Sequence, residues 1–237
     1  MLTYNRAGFI EAAIASVRSQ TYTSWQLTII DDGSTDSTES KVRSLADERI
    51  TYVRNPHNTG LLSARMQSLA HAKGAYTAVI DSDDVWTDKH KLEKQVAFME
   101  TNPECAVVGT FITHINEQDT IIGTTKYATT DRAIRNRMLL QNQFAHSSVL
   151  MRTALLNKTE GYRMSRAEDL DLFLQLGTHG TFANLPSYMT AYRIHKTNTS
   201  KGRTAMIRSI DTIIRRHAHA YPHAFLAQLK NYMRFLL

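Results

Sequence analysis

Tyr76-Thr77-Ala78-Val79-Ile80, followed by Asp81-Ser82-Asp83-Asp84, decides how this chain is read. The first five residues form a strand-like, mainly apolar run, and three carboxylates crowd its exit. Like charges that close repel unless something positive lies among them, and carboxylate oxygens are the ligands that Mg²⁺, Mn²⁺ and Ca²⁺ prefer. The stretch therefore points to a divalent cation at a strand end. Asp and Ser also favour strand exits and helix caps, so the same residues admit a structural reading and the rest of the chain has to choose.

Upstream, Phe9, Ile10, Ala13, Ile14 and Val17 share one helical face within residues 8–19, and Gln26-Leu27-Thr28-Ile29-Ile30 reads as a buried strand. The turn Asp31-Asp32-Gly33-Ser34-Thr35-Asp36 follows, with Asp36 expected to cap a helix and Glu39 to complete a capping box. Ile50-Thr51-Tyr52-Val53 is the next strand, and a turn holding Pro56 and Gly60 leads to a helix over about 61–72. Downstream come a helix over about 88–101, a long strand from Ala106, the polar turn from Asn116 to Asp119, less regular segments, a helix opening at Ala167-Glu168-Asp169, and a strand over about 188–194.

Strands alternating with helices across short turns imply an α/β fold: a Rossmann-like, mostly parallel sheet with helices on both faces. In such sheets ligands bind outside the carboxyl ends of the strands. Both acidic turns, 31–36 and 81–84, fall at such ends and are expected to face one crevice.

The chain's 237 residues, 42% hydrophobic, suffice for a full core and argue against disorder. No apolar run approaches the ~20 residues that cross a bilayer, and the N-terminus has no signal-peptide pattern, so a soluble cytoplasmic protein is expected. The single cysteine, Cys105, excludes an internal disulfide and reads as a small core residue. A formal charge of +6 favours anionic partners. An acidic crevice and the lack of a nucleic-acid motif argue against nucleic acid.

Six motifs in order complete the reading: Thr3-Tyr4-Asn5-Arg6, Ser19-Gln20-Thr21-Tyr22, Asp31 to Asp36, Asn58-Thr59-Gly60, Asp81-Ser82-Asp83-Asp84-Val85-Trp86, and Glu168-Asp169-Leu170-Asp171-Leu172. Together they resemble family 2 inverting glycosyltransferases from the first residues to about Ser200. The resemblance implies a nucleotide-diphospho-sugar transferase fold and transfer of a sugar from a nucleotide-diphosphate donor to a hydroxyl of a glycan or lipid-linked acceptor, with Mg²⁺ or Mn²⁺. It also implies roles: Thr3 and Asp32 at the nucleobase, Arg65 reaching the nucleotide, Asp81 holding the ribose, Asp83 and His195 at the metal, and Asp169 as catalytic base. Glu168 and Asp171 compete with Asp169. The physical logic agrees, since a carboxylate can take the acceptor proton while a cation offsets charge on the departing diphosphate.

On this reading residues 1–204 form the catalytic domain, 1–104 on the nucleotide side and 105–204 on the acceptor side. Residues 205–237 form an amphipathic helical tail. Packing is the commoner use of such a stripe, and peripheral contact with an anionic membrane is the other. The basic stretch of Arg193, Lys196, Lys201 and Arg203 is either a solvated loop or an arm closing over phosphates. His217, His219 and His223 match no metal-ligand spacing and are assigned to surface or packing roles. Relatives carry an apolar strand before the Thr-Tyr-Asn motif where this chain begins at Met1-Leu2, so a truncated first strand is expected. Two rivals remain: an inactive nucleotide-sugar-binding module and a sugar nucleotidyltransferase. The second should show a Gly-rich basic loop that the chain lacks.

Overall fold

The computed structural model describes residues 1–195 and 203–236. Lys196, Lys201 and Leu237 lie outside the described residues, as do the side chains of Arg203, Phe235 and Leu236. The first half alternates β1 (Leu2–Thr3), α1 (Ile10–Arg18), β2 (Leu27–Asp31), α2 (Thr38–Ser44), β3 (Ile50–Arg54), α3 (Leu61–Leu69) and β4 (Tyr76–Ala78). The second contains β5 (Val85–Trp86), α4 (Lys91–Thr101), β6 (Cys105–Ile115), β7 (Ile121–Thr125), α5 (Asp131–Met138), a 3-10 turn (His146–Ser148), β8 (Leu150–Arg152) and α6 (Thr153–Leu156). It ends with α7 (Glu168–Leu176), β9 (Thr181–Arg193), α8 (Arg203–His217) and α9 (Ala224–Leu236).

The strands form two sheets. β1, β2 and β3 are parallel, in register from Leu27 opposite Ile50 to Asp31 opposite Arg54. The other sheet runs β4-β8-β6-β9-β5 with β7 on β6, and its pairs are antiparallel except β6 with β9. Parallel pairing thus holds where strands and helices alternate in sequence; in the other sheet β6 and β7 form a hairpin, and the antiparallel pairs β4–β8, β6–β8 and β5–β9 join strands far apart in the chain. A parallel bridge between Leu2 and Asp81 joins the two sheets beside β1, placing both acidic turns at one edge of the junction.

The two faces of β6, which has a register shift between Cys105 and Val107, assign the cores. Ala106 and Val107 enter one cluster with Ile134, Phe144, Phe173, Phe182 and Ile213, whereas Cys105 and Val108 enter another with Ile14, Ile29, Trp86 and Met99. Adjacent strand residues facing opposite clusters mean that both faces of the sheet are covered. Cys105 is buried, as expected, and burial pushes its thiol up to about 11.

A cavity of about 680 Å³ is lined by Met1, Leu2, Leu27, Thr28, Arg65 and residues 76–80. The Met1 ammonium donates to the Thr28 carbonyl at 2.8 Å, and burial, with Arg65 nearby, lowers its pKa to about 5. No helix among the described residues is long and apolar enough to cross a membrane.

The tail divides in two. Ile207, Ile213 and Ile214 of α8 are buried, and His217 at its end donates from Nε2 to Asp171 Oδ1 at 2.9 Å, a packing role. On α9 the buried face holds Ala227 and Asn231, while Phe225, Leu226, Leu229, Tyr232 and Met233 are exposed.

Candidate active site

The turn after β2 is held by neutral donors. The Ser34 amide donates to Asp31 Oδ1 at 2.8 Å, and the Tyr52 hydroxyl donates to Asp31 Oδ2. Asp32 Oδ1 accepts from Asn55 Nδ2 (2.9 Å), the Thr59 amide (2.9 Å) and the Thr59 hydroxyl (2.7 Å), and Oδ2 from the Gly60 amide (2.9 Å). Burial alone would raise the Asp32 carboxyl, yet these bonds hold it below the ordinary carboxylate range. The turn lies so close to the next that a Cβ on Gly33, at φ +77°, would sit 2.6 Å from the His57 carbonyl carbon. Only glycine fits there.

Asp36 accepts from the Thr38 amide at 2.9 Å and from the Ala7 amide at 3.1 Å, so it caps α2 from one residue before Ser37 and ties down the loop after β1. Glu39 does not complete the expected capping box. It pairs instead with Arg43 (2.9 Å) and Arg54 (3.2 Å). Thr3 is buried, and its hydroxyl oxygen has no protein partner among the described residues.

The turn after β4 is held by cations. Arg65, itself buried, donates from Nη2 to Asp81 Oδ1 at 2.7 Å, and its Nε lies 3.8 Å from Glu168 Oε1. Burial would raise Asp81, but Arg65 holds it below its ordinary value. Asp83 Oδ2 faces His195 Nε2 at 2.8 Å and Arg6 Nε at 3.2 Å. The ring of Phe9 stacks on His195 with centroids 5.4 Å apart. Asp84 is not a helix cap, since α4 begins only at Lys91. It is buried, accepts from the Arg193 amide at 2.8 Å and from the Ser147 hydroxyl, and burial together with Asp83 and Asp81 raises its carboxyl well above the ordinary range.

The third acidic group opens α7. Ala167, the residue before the helix, has φ +53°, a left-handed conformation rare for alanine and the kind of local strain that collects at functional sites. Asp169 Oδ2 accepts from Asn142 Nδ2 at 2.9 Å. Burial raises the Asp169 carboxyl, and burial with the neighbouring Asp169 charge pushes Glu168 up to about 7. Asp171 is fully buried and bound by Arg163 (2.8 Å to each oxygen), His217 (2.9 Å) and Gln175 (3.0 Å), which commits it to anchoring α8. Of the three acids only Glu168 and Asp169 face Arg65 and Asp81 electrostatically.

Sequence reading missed the scaffold behind these carboxylates. Ser147, on the 3-10 turn, donates to Asp84, accepts from the Asp81 amide at 3.0 Å, and offers its carbonyl to Trp86 Nε1 at 2.8 Å. Arg193 is buried, not solvated. It reaches the Asp83 carbonyl (2.8 Å), the Asn116 carbonyl (2.9 Å) and Asp119 Oδ1 (2.7 Å), tying the second turn to the β6–β7 loop.

Comparison with known proteins fixes the family. The family model described as "Glycosyl transferase family 2" matches residues 1–162. The chain belongs to that family. WfgD of Escherichia coli, a UDP-Glc:alpha-D-GlcNAc-diphosphoundecaprenol beta-1,3-glucosyltransferase, is 32% identical over 176 residues, covering 74% of this chain and 67% of WfgD. WfaP of Escherichia coli, named for the same activity, is 33% identical over 199 residues, covering 83% of this chain and 76% of WfaP. Among solved structures, S. aureus TarS 1-349 in complex with UDP-GlcNAc superposes with a TM-score of 0.74 at 18% identity, over 98% of this chain and 70% of that one. The mannosyltransferase PcManGT from Pyrobaculum calidifontis, in complex with GDP-Man and Mn2+, gives 0.70 at 17% identity, over 99% and 72%. These neighbours show the fold, which is that of nucleotide-sugar transferases, and membership of glycosyl transferase family 2 makes this chain a glycosyltransferase. It spans about two thirds of the length of WfgD.

Asp83 and His195 present the oxygen and nitrogen donors that a divalent cation would take. One carboxylate and one imidazole converge at Asp83 and His195, and no group of three or more His, Cys, Asp or Glu ligands forms among the described residues. A donor set that small suits a cation whose other ligands are substrate phosphates and water.

Proposed function

We propose that this family 2 glycosyltransferase moves a sugar, with inversion, from a nucleoside-diphosphate donor to a hydroxyl of a lipid-diphosphate-linked glycan, using Mg²⁺ or Mn²⁺. The observation that carries the reading is Arg65, whose guanidinium touches Asp81 on one side and lies beside Glu168 on the other, so that the second acidic turn and the acids of α7 form one site. Residues 1–104 then serve the nucleotide and 105–204 the acceptor. Thr3, with its unpartnered hydroxyl, and Asp32, whose Oδ2 accepts one protein hydrogen bond, line the nucleobase side. Asp81 holds the ribose and Arg65 neutralises it.

In the reaction the acceptor oxygen bonds to the anomeric carbon from the face opposite the diphosphate, the bond from that carbon to the diphosphate oxygen breaks, and the electron pair leaves on the nucleoside diphosphate. Asp169 takes the acceptor proton. Its burial makes it a stronger base than an exposed carboxylate, and Asn142 fixes its orientation. Asp83 and His195 would hold the cation, which would supply positive charge beside the departing diphosphate. Arg6 adds a fixed charge on the same side.

The acceptor class draws support from WfgD and WfaP, and from α9. Its outward stripe of Phe225, Leu229, Tyr232 and Met233, alternating with Lys230 and Arg234, suits contact with an anionic bilayer at the cytoplasmic face. Sedimentation with anionic vesicles tests this, and failure of the protein to pellet with them removes the membrane contact.

Metal-dependent hydrolysis and transfer from a panel of UDP- and GDP-sugars tests the whole. The Asp169→Asn variant should lose ~10³-fold in transfer rate while still binding nucleotide. Turnover by that variant at the wild-type rate would sink the base assignment, and nucleotide binding by the wild type without any turnover would favour an inactive binding module.

A further inference from the structure

His146 is the most deeply committed ring in the site that the proposed chemistry does not use. Its side chain is 8% exposed. Nε2 lies 2.8 Å from the Tyr162 hydroxyl, and Nδ1, 4.0 Å from Asp81 Oδ2, has no hydrogen-bond partner among the described residues. Tyr162 and Phe173 pack on the ring in T-shaped contacts, with centroids at 5.8 and 6.1 Å. Burial, then the Arg65 charge, drives the imidazole down to about 3, so it is neutral at physiological pH and carries one ring proton.

The surroundings choose where that proton sits. A bare Nδ1 would aim its lone pair at the Asp81 carboxylate, whereas a protonated Nδ1 aims a donor at it and leaves Nε2 to accept from Tyr162. A buried donor without a partner is a rare and unfavourable arrangement. Here it lies one short side-chain movement from an anion whose other oxygen Arg65 already holds at 2.7 Å. The neighbouring Ser147 holds the Asp81 amide at 3.0 Å, so a single turn addresses both the backbone and the side chain of Asp81.

We infer that His146 is a positioning residue for the donor: its Nδ1–H closes on Asp81 Oδ2 when the nucleotide binds, clamping the carboxylate between His146 and Arg65 with its acceptor directions fixed on the ribose hydroxyls. Tyr162 sets the tautomer from behind. This rests on the proposed reading of Asp81 as the ribose contact.

The experiment compares binding of UDP and of 2′,3′-dideoxy-UDP, each with Mn²⁺, by calorimetry, with GDP and its dideoxy analogue run alongside. A hydrogen bond to a charged group accounts for roughly tenfold in affinity. His146→Gln, whose amide cannot occupy the Nδ1 position, should weaken the ribonucleotide about tenfold and leave the dideoxy analogue within about twofold. His146→Asn, whose amide nitrogen can take the place of Nδ1, should keep most of the difference, and Tyr162→Phe should lose about half of it on a logarithmic scale. Unequal behaviour of the Gln and Asn variants also separates positioning from mere filling of space, which both would impair alike. Equal weakening of ribo and dideoxy nucleotides in His146→Gln, or no weakening of either, overturns the inference. Asp81→Asn is the control. If it does not abolish the preference for the ribonucleotide, the reading of Asp81 fails, and the inference with it. If it does, while His146→Gln keeps the preference, the role of His146 alone fails.

Discussion

Two acidic turns leave the sheet junction side by side, and they differ in what answers their charge. Asp31 and Asp32 are met by backbone amides, hydroxyls and an Asn side chain, with no cation among the donors. Asp81 and Asp83 are met by the side chains of Arg65, Arg6 and His195. Neutral donors held in the backbone of loops are fixed once the chain is folded, whereas long cationic side chains are exchangeable for another cation or can turn to an incoming phosphate. On the proposed reading the first turn is framework that also faces the ligand, and the second is the working part.

The largest effect expected from this contrast falls on Asp83. Asp83→Asn keeps the shape of the residue and removes the anionic oxygen that faces His195 and Arg6. Transfer should fall by ~10²–10³-fold with thermal stability nearly unchanged, because loss of electrostatic help to a leaving group is of that order. A second readout is the apparent Mn²⁺ affinity in the presence of UDP, which should drop in parallel. Unchanged Mn²⁺ dependence would move the cation elsewhere and erase the contrast between the turns.

Asp32 should respond in the opposite sense. Asp32→Ala leaves the buried Asn55 amide and the more exposed Thr59 and Gly60 donors without their acceptor, which costs about 1–2 kcal/mol, or roughly 2–8 °C in Tm for a chain of this size. Nucleotide affinity should fall less than stability suggests. A variant that melts like the wild type and binds no nucleotide would break the comparison, by making Asp32 a ligand contact and little else.

The two turns also show why one reading of the chain succeeds locally and fails at long range. Apolar runs ending in Asp mark β2 and β4, and the 3.6-residue period marks α1, because strand and helix signals are written in neighbouring residues. β5, with two residues, and the 3-10 turn at His146–Ser148 are too short to carry a period. The partners that separate the turns are remoter still. Ser147 lies 66 residues from Asp81, and Arg193 lies 109 from Asp84. Arg193 in a run of basic residues resembles a solvated loop until the fold brings it onto the Asp83 carbonyl. Which of Glu168, Asp169 and Asp171 is free for chemistry was equally hidden, because Asp171 is withdrawn by Arg163 and by His217 from α8.

That last distinction supplies the smallest and most diagnostic test. Glu168 and Asp169 are adjacent half-buried acids, both raised by burial, and the Asp169 charge helps push Glu168 up to about 7. A base must be deprotonated to work, so the rate at low substrate should fall as pH drops through the range in which the pair takes up a proton. Glu168→Gln removes the neighbouring negative charge and leaves the Arg65 charge less compensated, and both changes favour ionised Asp169. The acid limb of kcat/KM should therefore move to lower pH, by on the order of one unit, with the plateau rate changed only a few-fold. Movement to higher pH would mean that Glu168 assists Asp169 by sharing its proton, and disappearance of the limb would make Glu168 the base. Either outcome would redraw the boundary between the turn that binds the leaving group and the helix that serves the nucleophile.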